Sequence, residues 1–224
     1  MRLRVRGCRK NRAVASSEPI LFAVTPNSTS DSLLSFAQAQ IADSARVHEA
    51  VAELAPKLTE LAKQIAACFR NGGRAYFFGN GGSAADAQHW AAEFSGRFYH
   101  DRPSLPAFAL TGNSSQITAI GNDYGFGEVF ARPLSGMLQP DDVAVGISTG
   151  GNSANVVRGL EVAQEKNTLA VAFTGKGGGR MANVCDILIA IPSEDTPRIQ
   201  EGHELCGHVL CALVERSMFS KDDG

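Results

Sequence analysis

Apolar residues recur at helical spacing through the first third of the chain. Ile41, Val47, Val51, Leu54, Leu58, Leu61, Ile65 and Cys68 fall mostly three or four apart. This predicts one long amphipathic helix from Leu33, closed by Asn71-Gly72-Gly73 as cap and turn. The pattern then shortens to compact apolar runs separated by polar, glycine-rich turns. Ala75 to Phe78, Ala107 to Leu110, Val143 to Ile147, Leu169 to Phe173 and Ile187 to Ile191 read as strands. Helical stretches alternate with them: from Ser83, up to Ile120, Glu128 to Leu138, Ala154 to Glu165, a turn at Arg180 to Asn183, and Thr196 to Phe219. Gly121-Asn122-Asp123-Tyr124-Gly125 reads as loop. Short strands that alternate with helices predict a three-layer αβα sandwich around a five-stranded parallel sheet. Residues 33–224 form one domain on this reading.

Ligands on such sheets sit at the carboxyl ends of the strands. Two glycine turns lie at such ends. The first is Gly79-Asn80-Gly81-Gly82-Ser83, with Ser83 as the expected N-cap of the next helix. The second is Ser148-Thr149-Gly150-Gly151-Asn152-Ser153. Its hydroxyls, with free N–H groups at a helix start, suit a phosphate monoester. It is neither a Walker motif nor a dinucleotide fingerprint, because no Gly-Lys-Ser/Thr follows and the glycine spacing differs. A Ser/Thr-rich loop that only caps a helix would read the same locally.

His89 and Glu93 lie one turn apart on the helix after the first turn. Such a pair can hold a metal or share proton transfer. On the last helix Gln200, Glu204 and His208 share one face, while Glu201, His203 and Glu215 lie on others. Two helices can bring His89, Glu93, Gln200 and His208 together, a donor set that suits zinc. Spacing alone leaves an ordinary pair of polar helix faces as the other reading.

Composition adds bounds. At 224 residues, 44% hydrophobic and 20% charged, the chain can bury a full core. A net charge of -2 gives no general drive toward nucleic acid or membrane, and no apolar run approaches the roughly 18 residues of a spanning helix. Five cysteines without CxxC spacing fit a reduced compartment. Residues 1–32 differ: basic and acid-poor at first, then rich in Ser and Pro. They are expected to be a disordered basic extension, with a transit peptide, a basic arm or a misassigned start as alternatives.

Several separated motifs, in order, resemble the phosphoheptose isomerases, a group of sugar-isomerase (SIS) domain proteins. They are Gly79 to Ser83 through His89 and Glu93, Gly121-Asn122-Asp123, Gly146 to Thr149 with Gly151-Asn152-Ser153, Thr174-Gly175-Lys176, and Arg198-Ile199-Gln200-Glu201 with His208. The resemblance covers about Leu33 to Phe219. It implies a cytoplasmic homotetramer with one zinc per subunit, acting on sedoheptulose 7-phosphate in the first step of nucleotide-activated heptose biosynthesis. It implies substrate contacts at Asn80, Gly81, Gly82, Glu93, Asn122, Asp123, Ser148, Thr149, Gly150, Ser153 and Gln200. It implies zinc ligands at His89, Glu93, Gln200 and His208, with Glu93 and His208 as the acid/base pair. Many members have serine where Gly150 stands. A noncatalytic SIS adaptor that binds the bacterial replication initiator protein resembles the same turns and Arg102 to Pro106. That group typically lacks the acid and the imidazole present here as Glu93 and His208. SIS modules of transcriptional regulators usually carry a DNA-binding domain, which about 33 residues cannot build.

Overall fold

The computed structural model describes residues 29–219. The expected extension therefore lies outside the described residues up to position 28. By its internal contacts the chain divides into residues 1–38 and a second unit, 39–224. Residues 29–38 are helical, the first part of α1 (Thr29–Val51). That helix starts four residues before the expected Leu33.

The long amphipathic helix of the sequence reading is interrupted. A 3₁₀ turn at Ala52–Leu54 separates α1 from α2 (Ala55–Arg70). Pro56 explains the break. It has no N–H, and its ring would strike the carbonyl four residues back, so it fits only a first helical turn. The expected stop at the other end of α2 is present: Gly72 has φ 81, and the Gly73 N–H donates to the Cys68 carbonyl at 2.9 Å.

Five parallel strands follow in the order β2-β1-β3-β4-β5. They are β1 (Ala75–Gly79), β2 (Ala107–Ala109), β3 (Val143–Ser148), β4 (Leu169–Thr174) and β5 (Ile187–Ala190). Ala75 pairs with Ala107 on one side and Val143 on the other. The chain leaves β1 in one direction and returns to β3 on its opposite side. That reversal opens a crevice at the carboxyl ends of β1 and β3, where the register runs Gly79 to Ile147. Both glycine turns leave from this crevice.

Successive strand residues face opposite layers. Phe77 packs with α2, α3 (Gly82–Ser95) and α7 (Thr196–Phe219), beside Leu61, Ile65, Trp90, Phe94 and Leu210. Tyr76 and Phe78 face the other layer, where α5 (Ala131–Met137) and α6 (Ala154–Glu165) supply Leu134 and Leu160. Side chains such as Leu61, Ile65 and Leu160 are fully buried. Each contributes about 1.5–3 kcal/mol relative to exposure.

Two elements differ from the sequence reading in ways that move candidate residues. α4 runs Ser114–Tyr124, so Gly121-Asn122-Asp123 is helix rather than loop. Asn113 caps it by accepting from the Gln116 N–H at 3.0 Å, and the helix stops only at Gly125, whose φ is 88. The expected helix from Glu128 to Leu138 is a 3₁₀ turn at Phe126–Glu128 followed by α5.

Candidate active site

The first turn gives the crevice its floor. Gly81 has φ 56 and ψ -121, a conformation that L side chains rarely adopt. It is the N-cap of α3, with no side-chain cap. The expected capping role of Ser83 is thus corrected: the helix already begins at Gly82, and Ser83 is buried inside it. A helix that starts with no side-chain cap leaves its first N–H groups, and the positive end of its dipole, free for a ligand. A Cβ on Gly82 would collide with the Gln200 amide nitrogen, so Gln200 of α7 lies directly against this turn.

The second turn converges two hydroxyls. Ser148 Oγ and Ser153 Oγ are 2.9 Å apart, at the end of β3 and at the N-cap of α6. Neither is used to cap the helix. Thr149 is half-buried between them in sequence, and Gly150 is exposed with open space around it. Asn80 and Asn155 exchange a reciprocal pair of amide hydrogen bonds, each 2.9 Å, which locks the first turn to the second. Asn155 is buried and has no signal in the sequence beyond its place as the second residue of α6.

His89 and His208 meet across α3 and α7 with their Nε2 atoms 3.0 Å apart. Glu204 Oε1 stands 3.1 Å from each of them. Glu93 Oε1 is farther off, 3.6 Å from His89 Nε2. Trp90 donates its indole N–H to the other oxygen of Glu204 at 3.2 Å. The Phe98 ring stacks on His208 at 5.6 Å between centroids. Asp86, one turn before His89, has a buried Oδ2 without a hydrogen-bond partner. Burial, then the nearby Glu204 carboxylate, push the Asp86 carboxyl up to about 6, against a smaller opposing effect of His89.

Three donor atoms within 3.0–3.1 Å of one another fit a metal ion. The carboxylates around His89, namely Asp86 with its unpartnered oxygen, Glu93 and Glu204, form an acidic cluster whose charge a divalent cation would offset. Of the residues expected here, His89 and His208 touch, Glu93 is beside them, and Gln200 lies at the Gly82 turn. Asn122 and Asp123 are exposed on α4, where Asn122 donates to Asp123 at 2.8 Å and not to either turn.

Arg102 and Glu215 form a buried brace behind the cluster, their side chains each 1% exposed. Arg102 donates to Glu215 at 2.8 Å and to the carbonyls of Glu93 and Phe94 at 2.9 and 2.7 Å. Glu215 accepts the N–H groups of Phe98, Tyr99 and His100 at 2.9, 2.8 and 3.1 Å. Burial pushes the Glu215 carboxyl up, but these amides and Arg102 together hold it below its ordinary value. The brace therefore fixes the end of α3 that carries Glu93 and the loop that stacks Phe98 on His208.

The SIS domain family model matches residues 41–175. A phosphoheptose isomerase from Rhodospirillum rubrum is 51% identical over 168 residues, which cover 75% of this chain and 89% of the relative. The structure of phosphoheptose isomerase from Neisseria gonorrhoeae superposes with a TM-score of 0.77 at 40% identity, over 82% of this chain and 98% of the other. A phosphoheptose isomerase from Francisella tularensis gives 0.79 at 34% identity over the same shares. A family model that matches more than half of the chain, together with relatives at such identity and coverage, places this chain in the SIS-domain family, among its phosphoheptose isomerases.

Proposed function

We propose that this chain interconverts sedoheptulose 7-phosphate and D-glycero-D-manno-heptose 7-phosphate, an aldose–ketose isomerisation. The observation that supports the proposal is the meeting of His89 and His208 across two helices, with Glu93 3.6 Å from His89, on a sheet whose β3 ends in the paired hydroxyls of Ser148 and Ser153. The reaction needs a base at carbon, an acid at oxygen and a grip on the phosphate.

Glu93 takes the proton from C1 of the ketose while His208 gives one to O2, which yields the enediol. Glu93 then returns its proton to C2, and His208 takes back the proton from O1, which leaves the aldehyde. Ser148, Thr149 and Ser153, with the Gly150 N–H, hold the phosphate and set the distance from it to the reacting carbons. Asn80, Gly81, Gly82, Asn122, Asp123 and Gln200 hold the sugar. Asn80 is already oriented for this by Asn155. Zinc held by His89 and His208, with a glutamate and the Gln200 amide beside them, would polarise the carbonyl and hydroxyl oxygens.

The working form on this reading is a cytoplasmic homotetramer. Leu33, Leu34, Phe36 and Ile41 of α1 are 59–70% exposed, which supports association through that helix. Among the described residues no helix is long and apolar enough to cross a membrane. The replication-initiator adaptor is not favoured, because the chain keeps both Glu93 and His208 and its named relatives are isomerases.

The test is incubation of the purified protein with sedoheptulose 7-phosphate, followed by NMR, with and without a chelator. Appearance of the aldose supports the proposal. Failure to turn over any phosphorylated ketose, with zinc supplied, removes it.

A further inference from the structure

The motif Arg198-Ile199-Gln200-Glu201 opens α7, and the proposed function uses only Gln200 from it. The residues around Gln200 have partners of their own. We propose that Arg198 and Glu201 are positioning residues: they clamp the first turn of α7 to α1, and so hold Gln200 at the Gly82 turn and Ile199 behind the phosphate cradle. The inference rests on the isomerase reading, which makes Gln200 and Thr149 substrate contacts.

Helical geometry separates the side chains of the motif. At about 100° per residue, Arg198 and Glu201 share one face, Gln200 points to the other side and Ile199 lies between. The contacts follow that division. On the first face, the buried Arg198 guanidinium donates from Nη1 to the Gln40 carbonyl and from Nη2 to Glu201 Oε1 at 2.7 Å. The Ser44 hydroxyl donates to the other Glu201 oxygen, also at 2.7 Å. Gln40 and Ser44 are one turn apart on α1, so the pair grips α1 at two successive turns. On the opposite side, a Cβ on Gly82 would fall 1.8 Å from Gln200 Nε2. Between them, Ile199 presses on Gly175, where a Cβ would fall 2.4 Å from Ile199 Cδ1 and 2.7 Å from the Thr149 carbonyl. The Gly175 N–H donates to that same carbonyl at 2.8 Å. Ile199 thus backs Thr149 of the cradle through one glycine.

The first turn of a helix frays readily, since its N–H groups have no partner within the helix. Gln200 and Ile199 both project from the start of α7, so their placement depends on what ties that start down. A guanidinium has fixed donor directions. One leads here to a backbone carbonyl of α1 and another to a carboxylate that Ser44 holds. Together they set the rotation of the turn and its height along α1.

The experiment compares the full chain as wild type, Arg198→Met, Arg198→Lys, Glu201→Gln and Leu134→Ala, each well below its own melting midpoint. Leu134 is fully buried in the opposite layer and serves as a control for lost stability without a lost clamp. Misplacing a group by about 1 Å can cost roughly 10²-fold, so kcat/KM of Arg198→Met is expected to fall at least about tenfold. Both constants should move, kcat through Gln200 and KM through Thr149. Arg198→Lys keeps the charge without the fork and should fall between wild type and Arg198→Met. Glu201→Gln keeps the side-chain shape, covers a misfolded Arg198→Met, and should lose activity in the same direction. Amide hydrogen exchange read by mass spectrometry is the second readout. Protection should be lost at Gly175 and at Ile199, whose N–H donates to the Asp195 carbonyl at 2.9 Å, in both clamp variants and not in Leu134→Ala. Kinetic constants and exchange equal to wild type in Arg198→Met and Glu201→Gln overturn the proposal, as does an equal loss in Leu134→Ala. Wild type without turnover removes the isomerase reading instead, and the exchange data then still decide the clamp.

Discussion

Arg102→Met tests whether the buried brace supports the acid/base groups. The methionine keeps much of the stem volume but removes the guanidinium, and with it the bonds to Glu215, Glu93 and Phe94. The Glu215 carboxylate, 1% exposed at its side chain, loses its only cation partner in the brace. Breaking a buried pair from one side costs about 3–5 kcal/mol, because the remaining charge is left uncompensated. At about 2–4 °C per kcal/mol for a domain of this size, the melting midpoint should fall by roughly 6–20 °C. Three amide donors to Glu215 soften the loss, so the lower half of that range is expected. The assay is thermal unfolding followed by circular dichroism, with turnover measured well below the new midpoint. Turnover should fall mainly in kcat, since the end of α3 below Glu93 and the Phe98 stack on His208 both lose their anchor. Arg102→Lys keeps the charge without the planar fork and should fall between the two. A midpoint within 1–2 °C of wild type with unchanged kcat would refute the reasoning.

Further outcomes follow from the same geometry. Ser148→Ala with Ser153→Ala should raise KM by well over tenfold, at about 1.5–3 kcal/mol for each hydrogen bond to a charged group, and unphosphorylated sedoheptulose should be a very poor substrate; equal turnover of the two sugars counts against the cradle. Gly150→Ser meets open space and no positive φ, so it should fold normally and lower KM several-fold by adding a hydroxyl to that cradle; a raised KM would show that the serine points elsewhere. Glu93→Gln should cut turnover by about 10²–10⁴-fold, the usual range for a general base, with the melting midpoint unchanged. The Glu215 carboxyl is held below the value of about 4.3 that it has when unfolded, so its stabilisation is complete above that pH and is lost as pH falls through the folded value. The stability gap between wild type and Glu215→Gln should therefore narrow below about pH 4, and a gap constant down to pH 3 would contradict the assignment.

The layers of the fold were legible because burial is periodic. The inner strands β1, β3 and β4 are short runs buried on both faces, the edge strands β2 and β5 are only partly buried, and α6 and α7 have the predicted bounds. Where the reading failed, a local rule was overridden by a partner or by one residue. Gly121-Asn122-Asp123-Tyr124-Gly125 has turn composition, yet the Asn113 cap starts a helix that runs through it to Gly125. Pro56 alone splits the first helix, although the apolar spacing continues across the break. The expected cap at Ser83 gave way to Gly81, whose φ of 56 lets the helix start two residues earlier than the hydroxyl would place it.

The site itself was legible as a set of residue types and not as a set of contacts. Helical spacing puts Gln200, Glu204 and His208 on one face and His89 with Glu93 on another. It does not fix the axial offset between α3 and α7, and a shift of one turn decides whether His208 faces Glu93 or whether Gln200 sits at the cluster or at the Gly82 turn. That offset is set by Gly207, which admits the Trp90 indole, and by Arg102 and Glu215, which tie the end of α3 to α7. None of these residues belongs to a catalytic motif. They determine which carboxylates meet the two imidazoles, and so the contacts of the site lie in the packing of two helices rather than in either helix alone.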